Sequence, residues 1–144
     1  HKPVAEYLQN AWGQLGLTMN IDIQEWKTVT ANRRSGNYDV ARNGWVMDYN
    51  DPSNLLECAY STNGNNSSRY KNPEYDALLD KAANETDAKT RFGYFHQAEE
   101  LLLKDAGVIP LMYQNETYLQ KDNIKDSFYT SDGIWHFEYA DIAE

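Results

Sequence analysis

The sequence holds one cysteine, 13 basic residues against 22 acidic ones, and no long apolar run. Each shortage excludes something. Cys58 cannot bridge within the chain, so a disulfide framework is ruled out, and with it a CxxC-type zinc or redox site. The formal net charge of -9 is spread along the chain, and the few Lys and Arg do not cluster. Such a surface repels phosphate, which excludes nucleic acid and anionic membranes as natural partners. No stretch approaches the roughly 18–20 apolar residues of a membrane span, and no signal-peptide pattern occurs. The eight glycines form neither GxGxxG nor a P-loop, which removes the usual phosphate cradles.

What is abundant is aromatic: eleven Tyr, four Trp and four Phe. A chain of 144 residues is expected to form one compact domain, burying roughly 70% of its unfolded surface. It opens on His1 rather than Met, which reads as a processed or internal end, so these residues are expected to be one piece of something longer.

Val4, Leu8, Ala11, Trp12 and Leu15 share a helical face, and Gly16 stands where a left-handed cap is wanted, which predicts a helix over residues 3–15. Leu17, Met19, Ile21 and Ile23 then alternate with polar residues, the period of a strand over 17–24. Thr28 to Arg34 reads as a short helix closed by Gly36, and Tyr38 to Val46 as a second strand. Together these predict a right-handed parallel βαβ unit, with a ligand site just beyond Trp45 at the carboxyl end of a strand. The polar run Ser61 to Ser68 predicts a mobile surface loop. Asn72 as N-cap, Pro73 at the first helical position and the stripe Tyr75, Leu78, Leu79, Ala82 predict another helix. A further helix over 87–105 carries Ala88, Phe92, Phe95, Ala98 and Leu102, and the pair forms a hairpin laid on the sheet. Val108 to Tyr113 reads as an edge strand because Pro110 cannot donate to a ladder. Ile134 to Ile142 is aromatic-heavy and alternates less cleanly.

The densest candidate for chemistry is the segment Gly44 to Pro52, with Trp45, Asp48, Tyr49 and Asp51 in a turn after a predicted strand. A carboxylate beside aromatic rings offers a cation both a counter-charge and π-faces. The plainer alternative is that Asp51 starts a turn and caps a helix over Ser53 to Ala59 while Trp45 is core. An EF-hand starting at Asp48 fails, since Pro52, Ser53 and Ala59 occupy ligand or glycine places. His1, His96 and His136 share no ligand spacing, so no metal is expected, and His96 reads as a partly buried surface residue. No GxSxG or Cys-His signature supports a nucleophile, and Cys58 reads as mid-helix packing. A glycosidase needs only two carboxylates, which 22 acidic residues leave open. Arg42, placed inside a predicted strand, must find a partner or face a cavity, and Arg33 is the other notable charge.

Gln24-Glu-Trp-Lys-Thr28, Tyr38-Asp-Val-Ala-Arg-Asn-Gly-Trp45, Asp48-Tyr-Asn-Asp-Pro52, Tyr70-Lys-Asn-Pro-Glu-Tyr-Asp76 and Ile109-Pro-Leu111, in this order, resemble the C-terminal part of the oligopeptide-binding proteins of ABC importers. These are the family 5 extracytoplasmic solute-binding proteins, and the resemblance covers nearly the whole chain. It implies an α/β fold: the second, C-terminal lobe of a type II periplasmic-binding-protein-like architecture, with a mixed sheet flanked by helices. The last 15 or so residues would be a return segment toward the other lobe. It also implies that Asp48 pairs with the α-ammonium of a bound peptide and that Trp45 lies beside it. Arg33 and Arg42 fall where family members carry cleft arginines that neutralise peptide carboxylates. The chain departs from the family pattern at Val46-Met47 and at Leu111-Met112-Tyr113-Gln114, which bears on the side-chain pockets to which Val46, Met47 and Tyr113 are assigned.

The function implied is capture of extended oligopeptides between two lobes, outside the cytoplasm, in the periplasm or as a cell-surface lipoprotein. The partners implied are the N-terminal lobe of the same protein and the membrane permease of the importer; no cofactor, catalytic residue or nucleic acid is expected. The readings it competes with are a carbohydrate-active enzyme or other small-ligand module using paired carboxylates and aromatics, and a structural or partner-docking domain.

Overall fold

A computed structural model describes residues 1–130 and 133–143, which divide into two compact units, residues 1–39 and 40–144.

The first unit is built on two helices. α1 spans Lys2–Gly13, and the chain turns out of it through Gly16, whose φ of 81° lets the Leu17 amide reach back 3.1 Å to the Trp12 carbonyl. The left-handed cap expected at Gly16 is therefore present. α2 spans Trp26–Ser35 and ends in the same way, on Gly36 at φ 74°, with the Asn37 amide on the Asn32 carbonyl at 2.9 Å. Neither helix has a buried residue.

The strand expected over 17–24 is not formed: these residues join no ladder. Alternation describes a chain ready to pair, but a strand exists only where a neighbour supplies the hydrogen bonds. Side chains tether this segment instead. Gln9 Nε2 donates to the Met19 carbonyl at 2.7 Å, and Asn32 Nδ2 donates to Gln24 Oε1 at 2.8 Å. Residues 38–46 likewise form no strand, so the expected parallel βαβ unit is absent among the described residues.

The second unit holds the core. α3 (Ser53–Leu56) runs directly into a 3₁₀ turn at Glu57–Ala59, where Cys58 sits half-buried rather than in mid-helix. α4 spans Pro73–Ala83 and α5 spans Ala88–Lys104. Asn72 caps α4 by accepting from the Glu74 and Tyr75 amides, and Asp87 caps α5 by accepting from the Thr90 amide.

Tyr75, Leu78, Leu79 and Ala82 of α4 bury against Phe95, Ala98 and Leu102 of α5, with Ala59 and Tyr70 completing the cluster. Ala82 and Ala98 are wholly inaccessible, and their small side chains let the two helices approach closely. Phe92 and Ala88, expected on the same stripe, stay exposed. The hairpin therefore packs on itself and on α3 rather than on a sheet.

The polar run at 61–68 is fastened, not loose. Asn66 Nδ2 donates to the carbonyls of Tyr70 (2.8 Å), Tyr60 (3.1 Å) and Ala59 (3.4 Å), while its Oδ1 accepts from the Tyr70 amide and the Ser68 hydroxyl. One amide closes the loop by replacing the backbone bonds that a turn this long cannot make to itself.

Beyond α5, Val108 to Tyr113 joins no ladder and lies exposed, so the edge strand expected there is absent. Two short antiparallel ladders follow. β1 (Ile124–Lys125) pairs with β4 (Asp141–Ile142), and β2 (Phe128–Tyr129) pairs with β3 (Trp135–His136). Trp135 stands between Tyr118, Tyr129 and Phe137, with ring centroids 4.6, 5.2 and 5.7 Å away. Of the stretch expected to return toward another lobe, Ser131, Asp132 and Glu144 lie outside the described residues.

Candidate functional site

The turn singled out in the sequence leads into α3 and is held at both ends. At its start, Trp45 Nε1 donates to Asn54 Oδ1 at 2.8 Å, and the Asp48 amide donates to the same oxygen at 3.2 Å. Asn54 is only 6% exposed and is the one buried polar residue among those described. A single buried acceptor thus ties an indole and a backbone amide together, while Asp48 stays exposed and Trp45 remains 40% exposed.

At the far end, Asp51 accepts from the Ser53 amide at 3.0 Å, and its carbonyl accepts from the Asn54 amide at 3.0 Å. This is the turn-starting role foreseen for Asp51. It has a second role that the sequence did not disclose: both carboxylate oxygens take hydrogen bonds from Arg91 of α5, at 2.7 and 2.9 Å. The Arg91 guanidinium holds the Asp51 carboxyl well below the usual carboxylate range, and Arg91 itself lies over the Phe95 ring, 4.7 Å from its centroid. Asp51 is therefore an internal counter-ion, and Asp48 is the carboxylate of this turn that faces outward.

Tyr49 lies against α3, its hydroxyl 3.1 Å from Ser53 Oγ. Cys58 donates to the Asn54 carbonyl at 3.4 Å, and burial, followed by the charges of Asp48 and Glu57, pushes its thiol up, the opposite of what a nucleophile needs. Arg42 makes no ion pair among the described residues, so the structural salt bridge that was one of the two expectations for it is not formed there. Its guanidinium instead passes Gly44, close enough that a Cβ there would sit 3.5 Å from Nη2.

Five of the seven residues assigned to ligand binding, Arg42, Trp45, Val46, Met47 and Asp48, thus lie on one short loop. Val46 is 75% exposed, with its Cγ1 against the turn at Gly133, and Met47 is half-buried. Arg33 belongs to α2, where its guanidinium lies 5.5 Å from the centroid of the Trp26 ring. Tyr113 stands in the extended segment after α5 with its side chain in solvent. His96, expected to be partly buried, is exposed on α5. Among the described residues no cluster of three or more His, Cys, Asp or Glu is placed to hold a metal, and no helix is long and apolar enough to cross a membrane.

An exposed carboxylate and a partly exposed indole on one loop have the chemistry that can attract a cationic group. Residues 1–67 match the family described as bacterial extracellular solute-binding proteins, family 5 Middle. The dipeptide-binding protein DppE of Bacillus subtilis is 33% identical over 142 residues, 98% of this chain and 26% of its own length. The Escherichia coli murein tripeptide binding protein MppA superposes with a TM-score of 0.71 at 39% identity, over 74% of this chain and 21% of that one. Haemophilus influenzae OppA, solved in complex with RPPGFSPFR, superposes with a TM-score of 0.62 at 42% identity, over 65% of this chain and 18% of that one. The chain belongs to the family 5 bacterial extracellular solute-binding proteins, and its fold is the α/β fold of that periplasmic-binding-protein-like class. It spans about a quarter of the length of the DppE relative it matches.

Proposed function

We propose that this chain is most of the C-terminal lobe of an oligopeptide-binding protein that captures extended peptides outside the cytoplasm and delivers them to the permease of an ABC importer. The observation that carries the reading is the turn at 45–48, where Asn54 fixes Trp45 and the Asp48 backbone while the Asp48 carboxylate stays free to meet a ligand. In this reading the peptide lies between two lobes, held by strand-like main-chain bonds that give affinity regardless of side chains. Asp48 sets the register by pairing with the α-ammonium, and Trp45 packs beside it. Arg42 and Arg33 balance peptide carboxylates, and Val46, Met47 and Tyr113 line side-chain pockets.

The exposure of Val46, Leu111, Met112, Tyr113 and Leu119 supports a lobe whose apolar surface is covered by the rest of the protein and its ligand, because a self-sufficient domain buries most of its large apolar side chains. The last 15 or so residues would lead back toward the other lobe. Periplasmic residence and anchoring by a lipid are both compatible with this role. Titration calorimetry on the full two-lobed protein tests it: Asp48→Ala is expected to weaken a free peptide by about 2–5 kcal/mol, which includes the penalty of leaving its ammonium buried and unpaired. Undiminished affinity would remove Asp48 from the site.

A further inference from the structure

Asn54 is the buried polar residue through which the start of the turn is joined to α3. Its Oδ1 accepts from Trp45 Nε1 at 2.8 Å and from the Asp48 amide at 3.2 Å, and the Asn54 backbone is fixed in turn by the Asp51 carbonyl and by Cys58. An oxygen shared by two donors fixes the separation of those donors. Here they are the ring and the backbone of the two residues that would meet the ligand ammonium.

We propose that Asn54 is the positioning residue for ammonium recognition: by holding the Trp45 indole and the Asp48 amide on one oxygen, it sets where the Asp48 carboxylate points. The proposal rests on the reading of Asp48 given above. Without the shared acceptor, the Trp45 N–H and the Asp48 N–H must each find a separate partner, and the loop can no longer keep the carboxylate and the indole face in a single arrangement. The energetic consequence falls on ligands with a charged amino terminus and spares those without one.

The test uses the full two-lobed protein with RPPGFSPFR and its N-acetylated form, reading the ratio of the two dissociation constants by calorimetry. The unaltered protein is expected to prefer the free amine strongly. Asn54→Leu, which keeps the branching at Cγ and removes the acceptor, is expected to shrink that preference about tenfold, and Asn54→Asp, which keeps an acceptor oxygen, to restore it. The Trp45 indole N–H resonance should move in the Leu variant and return in the Asp variant. If Leu prevents folding, Asn54→Gln, whose oxygen is displaced by one methylene, is expected to shrink the preference in the same way. A merely structural Asn54 lowers the melting temperature without changing the ratio, and that result overturns the proposal while leaving Asp48 in place. A ratio near one in the unaltered protein overturns the reading of Asp48, and the role of Asn54 with it.

Discussion

Arg91 grips Asp51 with two parallel hydrogen bonds, Nη1 to Oδ2 at 2.7 Å and Nη2 to Oδ1 at 2.9 Å, across 40 residues of sequence. The pair ties the turn that carries Trp45 and Asp48 to α5, the longest helix of the chain, so that turn rests on the helical core through a fork of fixed geometry.

The pair has a pH signature. The folded-state pKa of Asp51 is depressed, with the Arg91 hydrogen bonds as the largest cause. Its contribution to stability is therefore present above the unfolded value of about 3.9, and is lost progressively as pH falls toward the folded one. Both side chains remain about a quarter exposed, so solvent screening trims the energy. Asp51→Asn should cost ~1–3 kcal/mol at pH 7 and flatten the acid limb of the stability curve. Arg91→Lys should recover little, because an ammonium cannot span both oxygens. Urea unfolding of the three proteins between pH 3 and 7 checks this.

Gly107 is required for space rather than for backbone freedom. A Cβ there would lie 2.8 Å from Tyr70 Cδ2 and from Leu102 Cδ1. Leu102 can yield, but the Tyr70 ring is held by its hydroxyl on Asp105 at 2.7 Å and edge-on to Tyr75. Gly107→Ala should destabilise by about 1–3 kcal/mol, seen as a lower denaturant midpoint at constant slope.

Asn66 closes its loop by donating to the carbonyls of Ala59, Tyr60 and Tyr70. Asn66→Ala should cost ~1–3 kcal/mol and open residues 61–68 to limited proteolysis, with the first cleavages falling in this loop.

The helices were legible in the sequence because their signals are local. Gly16, Gly36 and Asn72 each satisfy orphan backbone groups within a turn of themselves, and all three do so in the structure. The strands were not, since Leu17 to Ile23 carries the right alternation without the neighbouring chain that turns alternation into a ladder. In the site, Trp45 and Asp48 were readable as a chemical pattern. Their support was not: Asn54 and Arg91 are ordinary helix residues in sequence, and only folding shows which acceptor and which counter-ion they become.

Under the proposed function, Asp48 recognises a peptide by its charged amino terminus. The most direct measurement is a double cycle on the full two-lobed protein, combining Asp48→Ala with acetylation of RPPGFSPFR and following affinity by calorimetry. If the two groups pair directly, either change alone should cost about 2–5 kcal/mol and the second should add little to the first. Losses that add in full, or no loss on acetylation, would contradict the account.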